Sequence, residues 1–191
     1  VQLPMYNEAQ VFERIISCAC TLDYPRDSLF IQVLDDSTME DVSRKMQECV
    51  NIWSKRGIQI FYRHRVNRKG YKAGNLKEGL SECYARSCDF VAVLDADFEP
   101  TPDWLTKSIC PFLNDDSLAL VQTRWTFSNS NDCMLTRCQE VELTWHFLAE
   151  QLASCYLFNF FGFNGSAGVW RMEAIMKAGN WSDDTTVEDM D

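Results

Sequence analysis

Imidazole is scarce in this sequence: His64 and His146 are the only histidines in 191 residues. Cysteine occurs nine times but never as C-x-x-C, so the ligand spacing of a structural zinc site is missing. Nine is also an odd number, below the share that marks a disulfide scaffold, and the expectation is reduced, buried thiols on a cytosolic side. Positive charge is short as well, with 18 Lys and Arg against 28 Asp and Glu and a net charge of −10. A chain this acidic repels a phosphate backbone, which argues against a general nucleic-acid binder. Long apolar runs are lacking: Phe90 to Leu94 is among the longest, against the ~18 residues a bilayer span needs. The chain opens on Val1 with no charged-then-apolar leader, which reads as a piece of a longer protein. With 46% hydrophobic and 13% aromatic residues, the composition is that of one folded domain rather than a disordered or collagenous chain.

What is present alternates in period. Val11, Ile15, Cys18 and Leu22 recur at helix spacing behind Asn7, a candidate N-cap, and Pro25 ends the pattern. Phe30-Ile31-Gln32-Val33-Leu34 predicts a buried strand ending in Asp35-Asp36-Ser37-Thr38. An amphipathic helix follows at 41–56 and stops at Gly57. Next come a strand at 58–62, a basic loop through Gly70, a helix at 72–87, and an apolar strand at 90–94 ending in Asp95-Ala96-Asp97. Strands alternating with helices specify an α/β sandwich with a mostly parallel sheet, and uniformly apolar strands fit a sheet covered on both faces. Ligands bind beyond the carboxyl ends of such strands, where both acidic clusters sit, so the two clusters should be neighbours. The second half reads as a helix at 102–113, a strand at 118–122, a helix at 134–153, an aromatic and glycine-rich loop at 158–168, a helix at 172–178, and an acidic end. The expected organisation is one domain, with a nucleotide-binding half at 1–97 and an acceptor and catalytic half at 98–191.

Several side chains carry possible chemistry. Asp95 and Asp97, two apart on an extended strand end, project on one side about 6–7 Å from each other. Two such hard oxygen ligands suit Mg²⁺ or Mn²⁺ completed by substrate phosphates, although D-x-D alone also serves as a strand cap. Arg63, Arg65, Arg68, Lys69 and Lys72 crowd into ten residues, and most read as a solvated loop. Lys72, between Gly70 and Gly74 at a helix start, can instead offer an ammonium and backbone N–H groups to a phosphate; no Walker loop is present. Among Asp183, Asp184, Glu188, Asp189 and Asp191, one carboxylate could act as a general base. His146, beside Trp145, Phe147 and Leu148, reads as a packing residue. The Phe160-Phe161-Gly162-Phe163 run is either core or a platform for sugar rings.

Taken together, these segments resemble the inverting, processive family-two glycosyltransferases, most closely the cellulose-synthase-like A and C groups. The resemblance rests on Val1-Gln2-Leu3-Pro4-Met5-Tyr6-Asn7-Glu8, Gln32-Val33-Leu34-Asp35-Asp36-Ser37-Thr38 and Gly70-Tyr71-Lys72-Ala73-Gly74-Asn75-Leu76-Lys77. It continues with Asp95-Ala96-Asp97-Phe98, the Phe160 to Gly168 segment and Thr186-Val187-Glu188-Asp189-Met190-Asp191. It implies a GT-A fold, a nucleotide sugar (GDP-mannose or UDP-glucose), a β-glycan acceptor and a divalent metal. By that resemblance Glu8, Asp35, Asp36, Lys72 and Asp95 bind the donor, and Asp95 and Asp97 hold the metal. Asp189 is the base, and Phe163, Asn164 and Gly165 line the acceptor channel. It further implies a glucomannan 4-β-mannosyltransferase-like activity ahead of a xyloglucan-type glucan synthase. The place implied is a Golgi membrane with the domain facing the cytosol, which leaves the sequons at Asn164 and Asn180 unmodified.

The family's Q-x-x-R-W motif and its transmembrane helices are absent from this sequence, and Gln122-Thr123-Arg124-Trp125 is one residue short of the motif. Phe98 stands where bacterial relatives place a metal-binding histidine. Two other classes stay open at this point. One is a haloacid-dehalogenase-type phosphatase, which wants Thr or Val where Glu99 stands; the other is a non-catalytic nucleotide-binding module.

Overall fold

The computed structural model describes residues 1–182. In chain order the elements are β1 (Gln2–Met5), α1 (Phe12–Cys20), β2 (Ile31–Asp35), α2 (Glu40–Lys55), β3 (Ile60–His64), α3 (Tyr71–Leu80) and β4 (Phe90–Val93). They continue with α4 (Trp104–Ile109), β5 (Leu120–Gln122), α5 (Met134–Trp145), α6 (Gln151–Phe158), β6 (Gly168–Arg171) and α7 (Met172–Ala178). The strands form one six-stranded sheet in the order β3-β2-β1-β4-β6-β5. β1 pairs in parallel with both β2 and β4, and β2 with β3, whereas β6 runs antiparallel to β4 and β5. The expected α/β architecture with a mostly parallel sheet is therefore present, with an antiparallel pair added at one side.

Period-two alternation of the strands distributes the core over the two faces. Leu3, Met5, Ile31 and Val33 pack with Ile15, Ile16, Met46 and Val50 of α1 and α2. Leu34, Val91 and Val93 face the other way, onto Leu76 and Leu80 of α3 and onto Phe163, Ile175 and Trp181. Every residue of β2 is buried, including the polar Gln32 and Asp35.

Two glutamines interrupt the α3 face. Gln2 Nε2 donates to Gln32 Oε1 at 2.9 Å and to the Leu76 carbonyl at 3.1 Å, and Gln32 Nε2 donates to the Gly79 carbonyl at 2.9 Å. The close approach of α3 depends on Gly79, where an added Cβ would meet Gln2 Nε2 at 2.5 Å and Leu34 Cδ1 at 3.0 Å.

The second half departs further from the sequence expectation. β6 falls at the end of the expected glycine-rich loop and only four residues long, too short to leave a periodic signal. The helix from Met134 runs on past Ala153 through a π turn at His146–Glu150 to Phe158. Apart from Phe147 it buries none of its residues, leaving Trp145, Leu148 and Phe158 exposed. Of the cysteines only Cys20 is buried and five are exposed, so the expected run of buried thiols is not found. Among the described residues no helix is long and apolar enough to cross a membrane.

Gly79→Ala forces either Gln2 or α3 to move, and overpacking of this kind costs about 1–3 kcal/mol. The expected result is a lower urea midpoint at unchanged slope; an unshifted midpoint would show that α3 is not seated on the sheet at Gly79.

Candidate functional site

The carboxyl ends of β1, β2 and β4 enclose a cleft of about 340 Å³, lined among others by Tyr6, Glu8, Asp36, Arg68, Lys72, Asn75, Asp95 and Asp97. The two acidic clusters are neighbours across it, as the topology rule requires. Adjacent strand residues point to opposite faces, and that separates Asp35 from Asp36. The Asp35 carboxylate accepts from the Tyr62 hydroxyl at 2.6 Å and the Ser37 amide at 2.8 Å, and Tyr62 also donates to the Ser43 carbonyl of α2 at 3.2 Å. Asp35 is thus a wholly buried brace beneath the cleft and does not line it, contrary to the donor-binding expectation. Burial, with the Asp35 carboxylate second, pushes the Tyr62 hydroxyl well above its ordinary range.

Asp36 does line the cleft, held from behind by Arg65. The guanidinium donates from Nε to Oδ1 at 2.5 Å and from Nη2 to Oδ2 at 2.7 Å, with both side chains buried. Arg65 Nη1 also reaches the Lys69 carbonyl at 3.0 Å and Glu78 at 3.2 Å, and Nη2 reaches the Tyr71 carbonyl. The basic segment is therefore not the solvated loop its composition suggests. Arg68 lies over the Tyr6 ring at 3.6 Å from its centroid, and Arg63 pairs with Glu78 at 2.5 Å. Sequence reasoning missed Arg65 as a site residue because it ended the strand at 62; β3 runs on to His64, so Arg65 stands one residue past its end, as Asp36 stands one residue past the end of β2.

Gly70 at φ 67° and Tyr71 at φ 46° turn the chain into α3, which brings Lys72 over the sheet end. Its ammonium contacts Asp95 Oδ1 at 2.6 Å and donates to the Gly165 carbonyl at 2.9 Å. The Asp95 amide in turn donates to Ser166 Oγ at 2.8 Å. Asn75 donates Nδ2 to the Leu34 carbonyl at 2.8 Å, while its buried Oδ1 has no partner among the described residues. An orphaned acceptor in a cleft wall is a place for a ligand N–H or O–H group. Asn7 does not cap α1 as expected. At φ 58° it accepts at Oδ1 from the Thr38 and Met39 amides at 3.0 and 3.1 Å, tying the β1 end to the start of α2.

The expected acceptor loop lies elsewhere. Phe163 is buried against Trp170 and Trp181 and over Gly168, so it presents no open ring face. Asn164 Oδ1 accepts from Gln151 Nε2 at 2.8 Å and faces His146 Nε2 at 3.3 Å, while His146 Nδ1 meets Glu150 at 2.9 Å; the ring is hydrogen-bonded as expected but partly exposed rather than packed in a core. Gly165 supports Lys72 through its carbonyl. Asp189 lies outside the described residues. Among the described residues no three His, Cys, Asp or Glu side chains converge as a metal cluster.

Residues 1–176 match the family model Glycosyl transferase family 2. Over its whole length the chain is 52% identical to the probable glucomannan 4-beta-mannosyltransferase 6 of Oryza sativa subsp. japonica, covering 33% of that protein. It is 51% identical to glucomannan 4-beta-mannosyltransferase 2 of Arabidopsis thaliana, also over its whole length and covering 36% of that protein. The chain thus spans about a third of the length of the curated relatives it matches. The mannosyltransferase PcManGT from Pyrobaculum calidifontis, solved in complex with GDP-Man and Mn²⁺, has the same fold, with a TM-score of 0.69 at 21% identity over 98% of this chain and 48% of that one.

Burial raises the Glu8 carboxyl above its ordinary value of 4.5, and the charges of Asp97 and then Asp95 raise it further. The folded state therefore holds this proton more tightly than the unfolded chain. The penalty on folding is complete above the folded value and disappears as pH falls through it towards the unfolded value. Glu8→Gln is expected to raise the thermal midpoint of the ligand-free protein at neutral pH and to leave it unchanged once pH is well below 4.5. A lower midpoint at neutral pH would show that Glu8 is stabilised there as a carboxylate.

Proposed function

Because this chain belongs to glycosyl transferase family 2, we propose that it forms the nucleotide-sugar site of a glucomannan 4-β-mannosyltransferase. The enzyme would transfer mannose from GDP-mannose to a growing β-1,4-glycan. The observation that carries this reading is the convergence of Glu8, Asp36, Lys72, Asn75, Asp95 and Asp97 on one cleft at the carboxyl ends of three parallel strands. The relatives' names point to mannose. The family match favours this reading over the phosphatase, and the relatives' names favour it over a bare binding module.

In this reading Asp36 and the orphaned Asn75 Oδ1 take hydrogen-bond donors of the nucleoside, and the Arg68–Tyr6 pair lies beside them. Lys72, already between Asp95 and the Gly165 carbonyl, offers its ammonium to the diphosphate. Asp97, with Asp95, would hold Mn²⁺ or Mg²⁺. Such a cation takes one or two carboxylates and completes its shell with phosphate oxygens and water, which fits a site where no cluster of three ligating side chains is found among the described residues. Burial is the main cause of the raised Glu8 carboxyl, but the charges of Asp97 and Asp95 add to it, and that part is what a cation would relieve. When bound, the cation neutralises charge on the departing diphosphate. No general acid is then needed. Asp189 would take the proton from the acceptor hydroxyl on the face opposite the leaving group, which inverts the anomeric carbon and gives a β-linkage. The place proposed for the full-length protein is a Golgi membrane, held by regions outside this chain, with this domain on the cytosolic side. Protease accessibility of the domain in sealed Golgi vesicles reads that orientation.

Calorimetric titration of the full-length protein with GDP and with UDP, each with and without Mn²⁺, tests the donor assignment. GDP is expected to bind more tightly than UDP, and only with the metal. Asp189→Asn should keep that binding while lowering transfer by about 10²–10⁴. Preference for UDP would reassign the donor to UDP-glucose, and binding of neither by a folded sample would remove the reading. Undiminished transfer by Asp189→Asn would remove the base.

A further inference from the structure

Gln122 opens the four residues that fall one short of the Q-x-x-R-W motif, and it does not line the donor cleft. It is the last residue of β5, in register with Gly168 of β6. From there its side chain reaches the turn at 164–167 that leads into β6.

That turn has left-handed backbone at two positions, Gly165 at φ 73° and Ala167 at φ 54°. Chain bent in this way makes no ladder of its own, so its inward amides and carbonyls need partners from elsewhere. Gln122 supplies them from both ends of one side chain. Oε1 accepts from the Asn164 amide at 3.2 Å, while Nε2 donates to the Ser166 carbonyl at 2.9 Å and reaches the Ala167 carbonyl at 3.3 Å. A single primary amide thus brackets Gly165 on both sides, which takes a donor and an acceptor on one short fork.

The bracketed turn carries the supports of the cleft. The Gly165 carbonyl accepts from the Lys72 ammonium at 2.9 Å, and the buried Ser166 accepts at Oγ from the Asp95 amide at 2.8 Å. Lys72 and Asp95 also meet each other at 2.6 Å. One turn residue therefore separates Gln122 from the ammonium and one separates it from the end of β4, so a shift of the turn displaces both groups together.

We propose that Gln122 is a positioning residue for the donor site: it sets the 164–167 turn, and through Gly165 and Ser166 it fixes Lys72 and Asp95 without touching either. The importance of those two groups to the diphosphate and the metal rests on the donor reading above. A residue that only ties β5 to β6 would act differently on substitution. Gln122→Glu keeps the shape and the acceptor for Asn164 but sets a carboxylate against the Ser166 and Ala167 carbonyls. Gln122→Met keeps the length and loses both ends.

Both variants of the full-length protein, beside the parent, test this by hydrogen exchange, thermal midpoint and calorimetry with GDP at rising Mn²⁺; Gln122→Glu decides if Gln122→Met does not fold. Faster exchange is expected at the turn and at the 93–97 amides, which belong to a different element from the substitution, with β2 as protected as in the parent. Mn²⁺-dependent GDP binding is expected to weaken about 10–100-fold, as when a partner behind a metal ligand is removed. Parental exchange at 93–97 in Gln122→Glu overturns the proposal. Where the parent binds GDP, unweakened binding by the variants overturns it as well. Faster exchange spread evenly over the sheet, with a lower midpoint, assigns Gln122 to fold stability alone and also overturns it. A folded parent that binds no GDP with Mn²⁺ removes the donor reading, and faster exchange confined to 93–97 and the turn then still upholds Gln122 as the residue that positions Lys72 and Asp95.

Discussion

The ion pair between Arg65 and Asp36 fixes the geometry on which the rest of the site depends. It is buried and bidentate, and Arg65 spends its remaining donors on Glu78 of α3 and on the Lys69 and Tyr71 carbonyls. One guanidinium therefore joins the ends of β2 and β3, the loop after β3 and the helix that follows. Breaking such a pair by removing one partner costs about 3–5 kcal/mol, while an apolar replacement of both can be neutral. Stability alone does not demand these charges. What they provide is position: the loop carbonyls are pinned where Gly70 and Tyr71 must turn into α3 with positive φ, and Lys72 follows one residue later. A lysine could not substitute for Arg65, because a point charge on a flexible stem lacks the planar fork that satisfies a carboxylate and the loop carbonyls together.

A second link crosses the sheet. Lys72 comes from the helix of the parallel half, Asp95 from the end of β4, and Gly165 and Ser166 from the turn into the antiparallel β6. The turn is strained where it matters: Ala167, not glycine, sits at φ 54°. It is held there because its amide donates to the Val93 carbonyl at 2.8 Å and its carbonyl accepts from the Thr123 amide at 3.0 Å. A backbone in a sparsely populated region persists when its surroundings over-determine it. The same turn that supports Lys72 also anchors Thr123, and through it the Trp104 ring at the start of α4.

The parallel half was legible in the sequence because its signals are long and redundant. Strand β4 is an unbroken apolar run and β2 an apolar one broken by Gln32, α1 and α2 are periodic, and the carboxyl-end rule then placed Asp36, Asp95 and Asp97 together. The misreadings share a physical origin in contacts distant along the chain. Asp35 and Asp36 are equivalent as composition, and only strand alternation sends one below the cleft and the other into it. Arg65 reads as one more surface cation until Asp36, 29 residues earlier, is seen to face it. Phe163 is aromatic beside glycine in either reading, and what buries it is Trp170 and Trp181. The antiparallel half offered least, since the four-residue β6 carries no period to detect and the helix from Met134, read only to 153, has almost no buried face to mark its end at Phe158.

Under the proposed function a nucleotide would have to be held in one pose while a bond breaks, and the cleft is built for that. Its contacts are directional: the buried Arg65–Asp36 pair, the unpartnered Asn75 oxygen, and an ammonium already placed between Asp95 and the Gly165 carbonyl. Asp36 is fixed by Arg65, just past the end of β3, and Lys72 by the turn into β6, so the supports come from elements distant along the chain. A ligand would therefore meet groups that need little ordering on binding, and the cost of immobilising side chains is met by the fold rather than by the ligand.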